Sequence, residues 1–199
     1  MAPTFVGLTG GMGVGKSEAL RAFERAGAAT LASDQVVHDL LRSGEVRARL
    51  LDRWGEGVVS ADDEIDRSQV AEIVFERPEE LRWLEAELHP RVAERVMDWR
   101  ATLPAKEKLA VVEVPLLFET GMEELFDVVV SVVADRELTE ERSAASGLIG
   151  LGGRSGRQLS QAEKAARATH VVRNDGTLAD LEAKIDRLVG ELTGSGGRR

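Results

Sequence analysis

Gly10 to Ser17 reads Gly-Gly-Met-Gly-Val-Gly-Lys-Ser, which fits the spacing G-x-x-x-x-G-K-S. Residues of these types in this order suit one chemistry, the holding of a nucleotide's phosphate chain. Gly11, Gly13 and Gly15 let the backbone take angles closed to other residues, and their N–H groups, with that of Val14, approach phosphate oxygens without a Cβ in the way. Lys16 would reach the β- and γ-phosphates, and Ser17 would offer its hydroxyl to Mg²⁺. A helix starting near Gly15, with Glu18 in its first turn, would aim the positive end of its dipole at the same phosphates. The other reading of the stretch is a plain glycine turn between a strand and a helix. Nucleotide binding is the working premise.

Such a loop names the ligand and not the reaction. Transfer of a phosphoryl group to an alcohol also needs a carboxylate near the acceptor hydroxyl, cationic groups for the moving charge, and a metal ion. Asp34 is the candidate carboxylate, because it follows a short apolar run at the end of which open α/β sheets hold their ligands; an acid at a helix start is the alternative. Glu113 closes another strand, where loops of this kind place an acid that orders Mg²⁺-bound water. Glu119 lies past Pro115, Leu116, Leu117 and Phe118 and is either a site acid or an ordinary helix-start acid. His89, followed by Pro90, is more simply structural on spacing alone. Arg142, Arg154, Arg157 and Lys164 surround a glycine-rich bridge and suit a lid that closes over phosphates and excludes water. A solvated basic face is the alternative for most of these charges.

The elements that must position these residues follow from periodicity. Apolar runs at Phe5–Leu8, Ala28–Ala32, Leu109–Val114, Val128–Val133 and Thr169–Val172 predict five strands. Helical spacing predicts helices over Ser17–Ala26, from Ser33 as a cap, and over Glu45–Trp54, Ser68–Phe75, Glu79–Ala101, Arg136–Ala145, Gly156–Ala168 and Leu178–Leu192, with Pro90 kinking or restarting the long one. Strands alternating with helices describe an α/β fold, a five-stranded parallel sheet flanked by helices. Residues 1–34 and 104–199 form its nucleotide-binding core, with a lid at about 136–161, and residues 35–103 a helical insertion for the acceptor. The 199 residues carry a net charge of −9, which argues against a broad nucleic-acid surface, and the absence of cysteine excludes disulfides and thiolate chemistry. The strand begins almost at once and no apolar stretch approaches the roughly 20 residues that span a bilayer, so the expectation is a cytoplasmic protein with no membrane contact, monomeric or weakly oligomeric.

Taken in order, Gly7-Leu8-Thr9-Gly10-Gly11 leading into the loop, Asp34, Leu88-His89-Pro90, Val114-Pro115-Leu116-Leu117-Phe118-Glu119, Asp127-Val128-Val129-Val130 and Asn174-Asp175-Gly176-Thr177 resemble the dephospho-coenzyme A kinase family. The resemblance implies a P-loop kinase that transfers a phosphoryl group from Mg²⁺-ATP to the ribose 3′-hydroxyl of dephospho-coenzyme A, the last step of coenzyme A synthesis. It further implies that Asp34 is the general base, Lys16 neutralises phosphate charge, and Ser17 is a Mg²⁺ ligand. His89, Pro115, Leu116, Leu117 and Glu119 would lie on the acceptor side, with Asn174 and Gly176 near the adenine of ATP. The chain departs from the family in three places. Ala32 replaces the first acid of an Asp-x-Asp pair, Glu18 replaces a threonine, and Ala145-Ser146 stand where an arginine usually precedes the glycine-leucine matched by Gly147-Leu148. Arg154 and Gln158 keep the downstream arginine-to-glutamine spacing, and Arg142 lies one turn earlier. A nucleoside monophosphate kinase, or a catalytically weakened nucleotide- or coenzyme-A-binding protein, are the rival readings.

Overall fold

In the computed structural model, which describes residues 2–145 and 158–194, the β-branched runs form β1 (Thr4–Gly10), β2 (Ala29–Ala32), β3 (Leu109–Glu113), β4 (Val128–Val133) and β5 (His170–Arg173). They make one sheet in the order β2-β3-β1-β4-β5, with every pairing parallel. All of β3 and nearly all of β4 are buried, as strands covered on both faces must be, and this is why they read as continuous Val-rich runs. Helices α1 (Lys16–Arg25) and α8 (Leu178–Leu192) bury Ala19, Leu20 and Phe23 with Leu181, Ile185 and Leu188 in one core against β1, β3 and β4. Thr177 caps α8 and is capped in return by Asp180.

The chain divides into two compact units, one made of the residues up to Ala32 with those from Arg100 onward, the other of Ser33–Trp99. The second unit is helical among its described elements: α2 (Ser33–Arg42), α3 (Gly44–Trp54), α4 (Arg67–Glu76) and most of α5 (Pro78–Thr102). Within it Arg53 donates two hydrogen bonds, of 2.9 and 3.0 Å, to the buried carboxylate of Glu80, and the Trp54 indole donates a third. The guanidinium beside it holds the Glu80 carboxyl below the usual carboxylate range. No helix among the described residues is long and apolar enough to cross a membrane.

Several element bounds differ from those expected. The long helix α5 runs unbroken through Pro90, burying Leu88, Val92 and Val96 four residues apart on one face; that packing outweighs the hydrogen bond the proline cannot make. Helix α2 starts at Ser33 itself, so the serine is its first residue and not the cap before it. Helix α6 spans Arg136–Ala145 as its periodicity predicts. The next helix, α7 (Gln161–Arg167), begins five residues later than Gly156, where Ser160 caps it and Glu163 caps in return.

Candidate active site

The loop hangs from β1, which has β3 on one side and β4 on the other. Three of its glycines lie in the left-handed region, Gly10 at φ 153°, Gly13 at 71° and Gly15 at 86°. A Cβ on Gly10 would stand 2.4 Å from the Val132 carbonyl oxygen, so the chain turns off the strand only where no side chain exists. Val14 is fully buried beneath the loop, and its carbonyl accepts a 2.9 Å hydrogen bond from the side chain of buried Asn174. Asn174 is held in turn, through its own N–H, on the Val133 carbonyl of β4 at 2.8 Å. Lys16 Nζ donates to the Gly11 carbonyl at 2.8 Å, which folds the ammonium back over the loop. The first bond of α1 runs from Ala19 N–H to the Gly15 carbonyl, so the amides of Lys16, Ser17 and Glu18 precede it and point out of the helix end. Loop amides, an ammonium and a dipole end converge as an anion site requires.

The fit is tight enough to test. A Cβ on Gly15 would lie 2.4 Å from Asn174 Nδ2, in a backbone conformation that costs an L-residue about 1–2 kcal/mol. Gly15→Ala is therefore expected to raise the dissociation constant for ATP by about tenfold or more and to lower the melting temperature by a few degrees. Titration calorimetry checks this, and an unchanged affinity overturns the assignment of the loop.

Ser17 Oγ lies 3.4 Å from Glu113 Oε1, and Glu113 is buried at the end of β3 in register with Leu8 of β1 and Ala32 of β2. No group of three or more carboxylates and imidazoles that could hold a metal occurs among the described residues. A hydroxyl and one carboxylate are hard oxygen donors of the kind that suits Mg²⁺, which keeps most of its shell as water and phosphate oxygen. Glu18 turns away from this pair. Its carboxylate accepts from Arg25 at 2.9 Å and Arg21 at 2.8 Å, and these guanidiniums hold it below the usual carboxylate range. The charge that departs from the family is matched by two cations on the next turns of α1, and what Glu18 offers an anion is its amide.

The remaining predicted residues separate into groups. Beyond β3, Leu117 is fully buried, with its methyl against the open face of Gly7; its side chain packs the core and is not available to a ligand, whereas Leu116 is 37% exposed. The Pro115 carbonyl accepts from Thr9 Oγ1 at 3.3 Å and from Lys164 Nζ at 2.6 Å. Glu119 accepts from Lys164 at 2.9 Å and from Leu159 N–H at 2.8 Å. Lys164 is thus a buried structural cation and not a charge on a lid surface, a role that sequence reasoning missed. Arg142, on α6, donates to the Asn174 carbonyl at 3.1 Å, and its Nη1 lies 4.0 Å from where a Cβ of Gly15 would be, which brings it to the phosphate loop. Gly176 sits against Asp180, where a Cβ would meet the carboxylate at 2.6 Å, so it makes room for the α8 cap. Arg154 lies outside the described residues. In the helical unit, Asp34 is exposed in the first turn of α2 with no hydrogen-bond or ion-pair partner among the described residues, and His89 is half-buried on α5.

Comparison with known proteins gives a consistent picture. The sequence pattern of the dephospho-CoA kinase family matches residues 4–180. A dephospho-CoA kinase from Protochlamydia amoebophila is 36% identical over 194 residues, covering 94% of this chain and 95% of that protein. A solved structure from Thermus thermophilus superposes with a TM-score of 0.81 at 33% identity, over 96% of this chain and 99% of the other. The structure of a dephospho-CoA kinase from Campylobacter jejuni, 23% identical and covering 96% and 98% of the two chains, shares the fold at a TM-score of 0.68.

Proposed function

The chain belongs to the dephospho-CoA kinase family, ATP-dependent enzymes that phosphorylate dephospho-coenzyme A in coenzyme A biosynthesis, and from that premise we propose which of its residues perform the transfer. The observation that carries the assignment is the loop itself, with Lys16 and Ser17 at the first turn of α1 and Glu113 opposite the serine. The amides from Gly11 to Glu18 cradle the β- and γ-phosphates, and Lys16 exchanges its bond to the Gly11 carbonyl for a phosphate oxygen. Arg142 and Arg154 spread the charge of the moving phosphoryl group. Asn174 supports the loop beneath the nucleotide, with Asn174 and Gly176 on the adenine side.

Ser17 and Glu113 would hold Mg²⁺, which supplies neutralisation of the charge developing between the β- and γ-phosphates. The acceptor is the ribose 3′-hydroxyl of dephospho-coenzyme A. Asp34, exposed and unpaired, orients that hydroxyl and takes its proton as the oxygen attacks the γ-phosphorus in line, while the bond from that phosphorus to the bridging oxygen breaks and ADP leaves. The helical residues 35–103, His89 among them, bind the acceptor, and Pro115, Leu116 and Glu119 are acceptor-binding residues of the nucleotide-binding unit. The protein works in the cytoplasm on small molecules, as a monomer or weak oligomer.

The test is coupled ADP release with Mg²⁺-ATP and either dephospho-coenzyme A or a panel of nucleoside monophosphates. ADP release that requires dephospho-coenzyme A is expected. Release with a nucleoside monophosphate in its place would identify that class as the acceptor, and tight ATP binding with no acceptor-dependent release would make the chain a binding protein.

A further inference from the structure

Lys164 has no exposed surface. A buried ammonium is costly unless its donors are met, and here they are met by the Pro115 carbonyl at 2.6 Å and Glu119 Oε1 at 2.9 Å. The same Glu119 oxygen accepts the Leu159 N–H at 2.8 Å, while Glu119 Oε2 is buried with no partner among the described residues. Pro115 is held a second time by Thr9, one residue before the turn into the phosphate loop. One ammonium on α7 therefore fixes both ends of the segment Pro115–Glu119, and Leu159 and α7 are where the chain returns after the glycine-rich bridge. Gln161, on the same turn of α7, packs against Gly11 and accepts from the Ala134 N–H at 2.9 Å, so the start of α7 also abuts the phosphate loop.

We infer that Lys164 is a positioning residue for phosphoryl transfer, which sets the acceptor-side segment Pro115–Glu119 relative to Leu159 and the start of α7. The inference rests on the acceptor role given above to Pro115, Leu116 and Glu119. The carboxylate of Glu119 is oriented through Oε1 alone, so Lys164 and the Leu159 amide determine where Oε2 is presented. Loss of the ammonium frees the segment to shift, and a displacement of about 1 Å at a positioned group costs on the order of 10²-fold in rate.

The experiment compares the wild type with Lys164→Arg, Lys164→Met, Glu119→Leu and the double variant Lys164→Met with Glu119→Leu. The double variant replaces a buried ion pair by apolar groups of similar volume, which keeps the fold where the single variant leaves a charge unpaired. In folded Lys164→Met, kcat/KM for dephospho-coenzyme A is expected to fall about 10²-fold, with the KM for ATP within about twofold of wild type, and in the double variant to a level no higher than that of Glu119→Leu alone. Lys164→Arg restores most of the rate. A double variant that folds and matches wild type in both parameters overturns the inference and makes the pair purely structural. So does a loss shared equally by ATP and the acceptor. Failure of the acceptor assignment itself is recognised separately, because the wild type would then show no turnover that depends on dephospho-coenzyme A.

Discussion

Lys16→Ala is expected to lower acceptor-dependent ADP release by about 10³-fold or more while leaving the melting temperature close to wild type. The size follows from where the charge sits. A cation placed on the transferring phosphoryl group acts mainly in the transition state, where negative charge spreads over the equatorial oxygens, so its loss appears in kcat more than in KM. The structure separates this role from folding. The ammonium makes a bond to the Gly11 carbonyl, a group that water satisfies once the side chain is gone, and the loop is shaped by Gly10, Gly15, Val14 and Asn174 without it. Steady-state kinetics beside a thermal melt decides the matter. A loss of less than tenfold in a folded variant would mean that another cation does the work assigned to Lys16.

The second large effect concerns Asp34. Asp34→Ala and Asp34→Asn are each expected to reduce kcat by about 10²- to 10⁴-fold, the range that a positioned general base contributes. The carboxylate is exposed and makes no bond within the described structure, so removing it costs the fold little and leaves nothing unpaired. ATP binding, assigned by the proposal to the loop between Gly10 and Glu18, is expected to be unchanged by calorimetry. Equal losses in both variants point to proton transfer or orientation by the carboxylate charge. Retention of rate within about tenfold in the alanine variant would move the base to another acid.

The strand that reads most plainly in the sequence, Val128–Val133, and the closing helix, Leu178–Leu192, have the bounds that their periodicity predicts, because each pattern is local and strong. The phosphate loop was equally legible, since its glycines answer to backbone angles that few residues adopt. The start of α7 was written in the chain as Ser160 with Glu163 three residues on, yet the neighbouring glycine-rich stretch drew the helix back to Gly156. Lys164 was not legible. Its burial depends on Glu119, 45 positions away, and nothing in the local pattern separates a buried lysine from a solvated one. Leu117 escaped for a similar reason, as Gly7 on the neighbouring strand makes the space that receives it. Pro90 signals a kink or a restart by a local rule, and of the two the restart is absent, as Leu88, Val92 and Val96 pack along one continuous helix. The neutralisation of Glu18 could have been found, since Arg21 and Arg25 follow at three and seven residues on the same helix.

The placement of β1 between β3 and β4 has a thermodynamic consequence. Edge strands β2 and β5 each have one neighbour in the sheet and β1 has two, so the central strand is expected to lose its partners only when the whole unit comes apart. A nucleotide held by the loop on that strand consequently cannot be released from half of the fold. Its binding energy adds to global stability by mass action, about 2.7 kcal/mol when free nucleotide is at 100 times its dissociation constant. Cellular ATP thus acts as a ligand that protects the entire nucleotide-binding unit from unfolding and from the proteases that follow it.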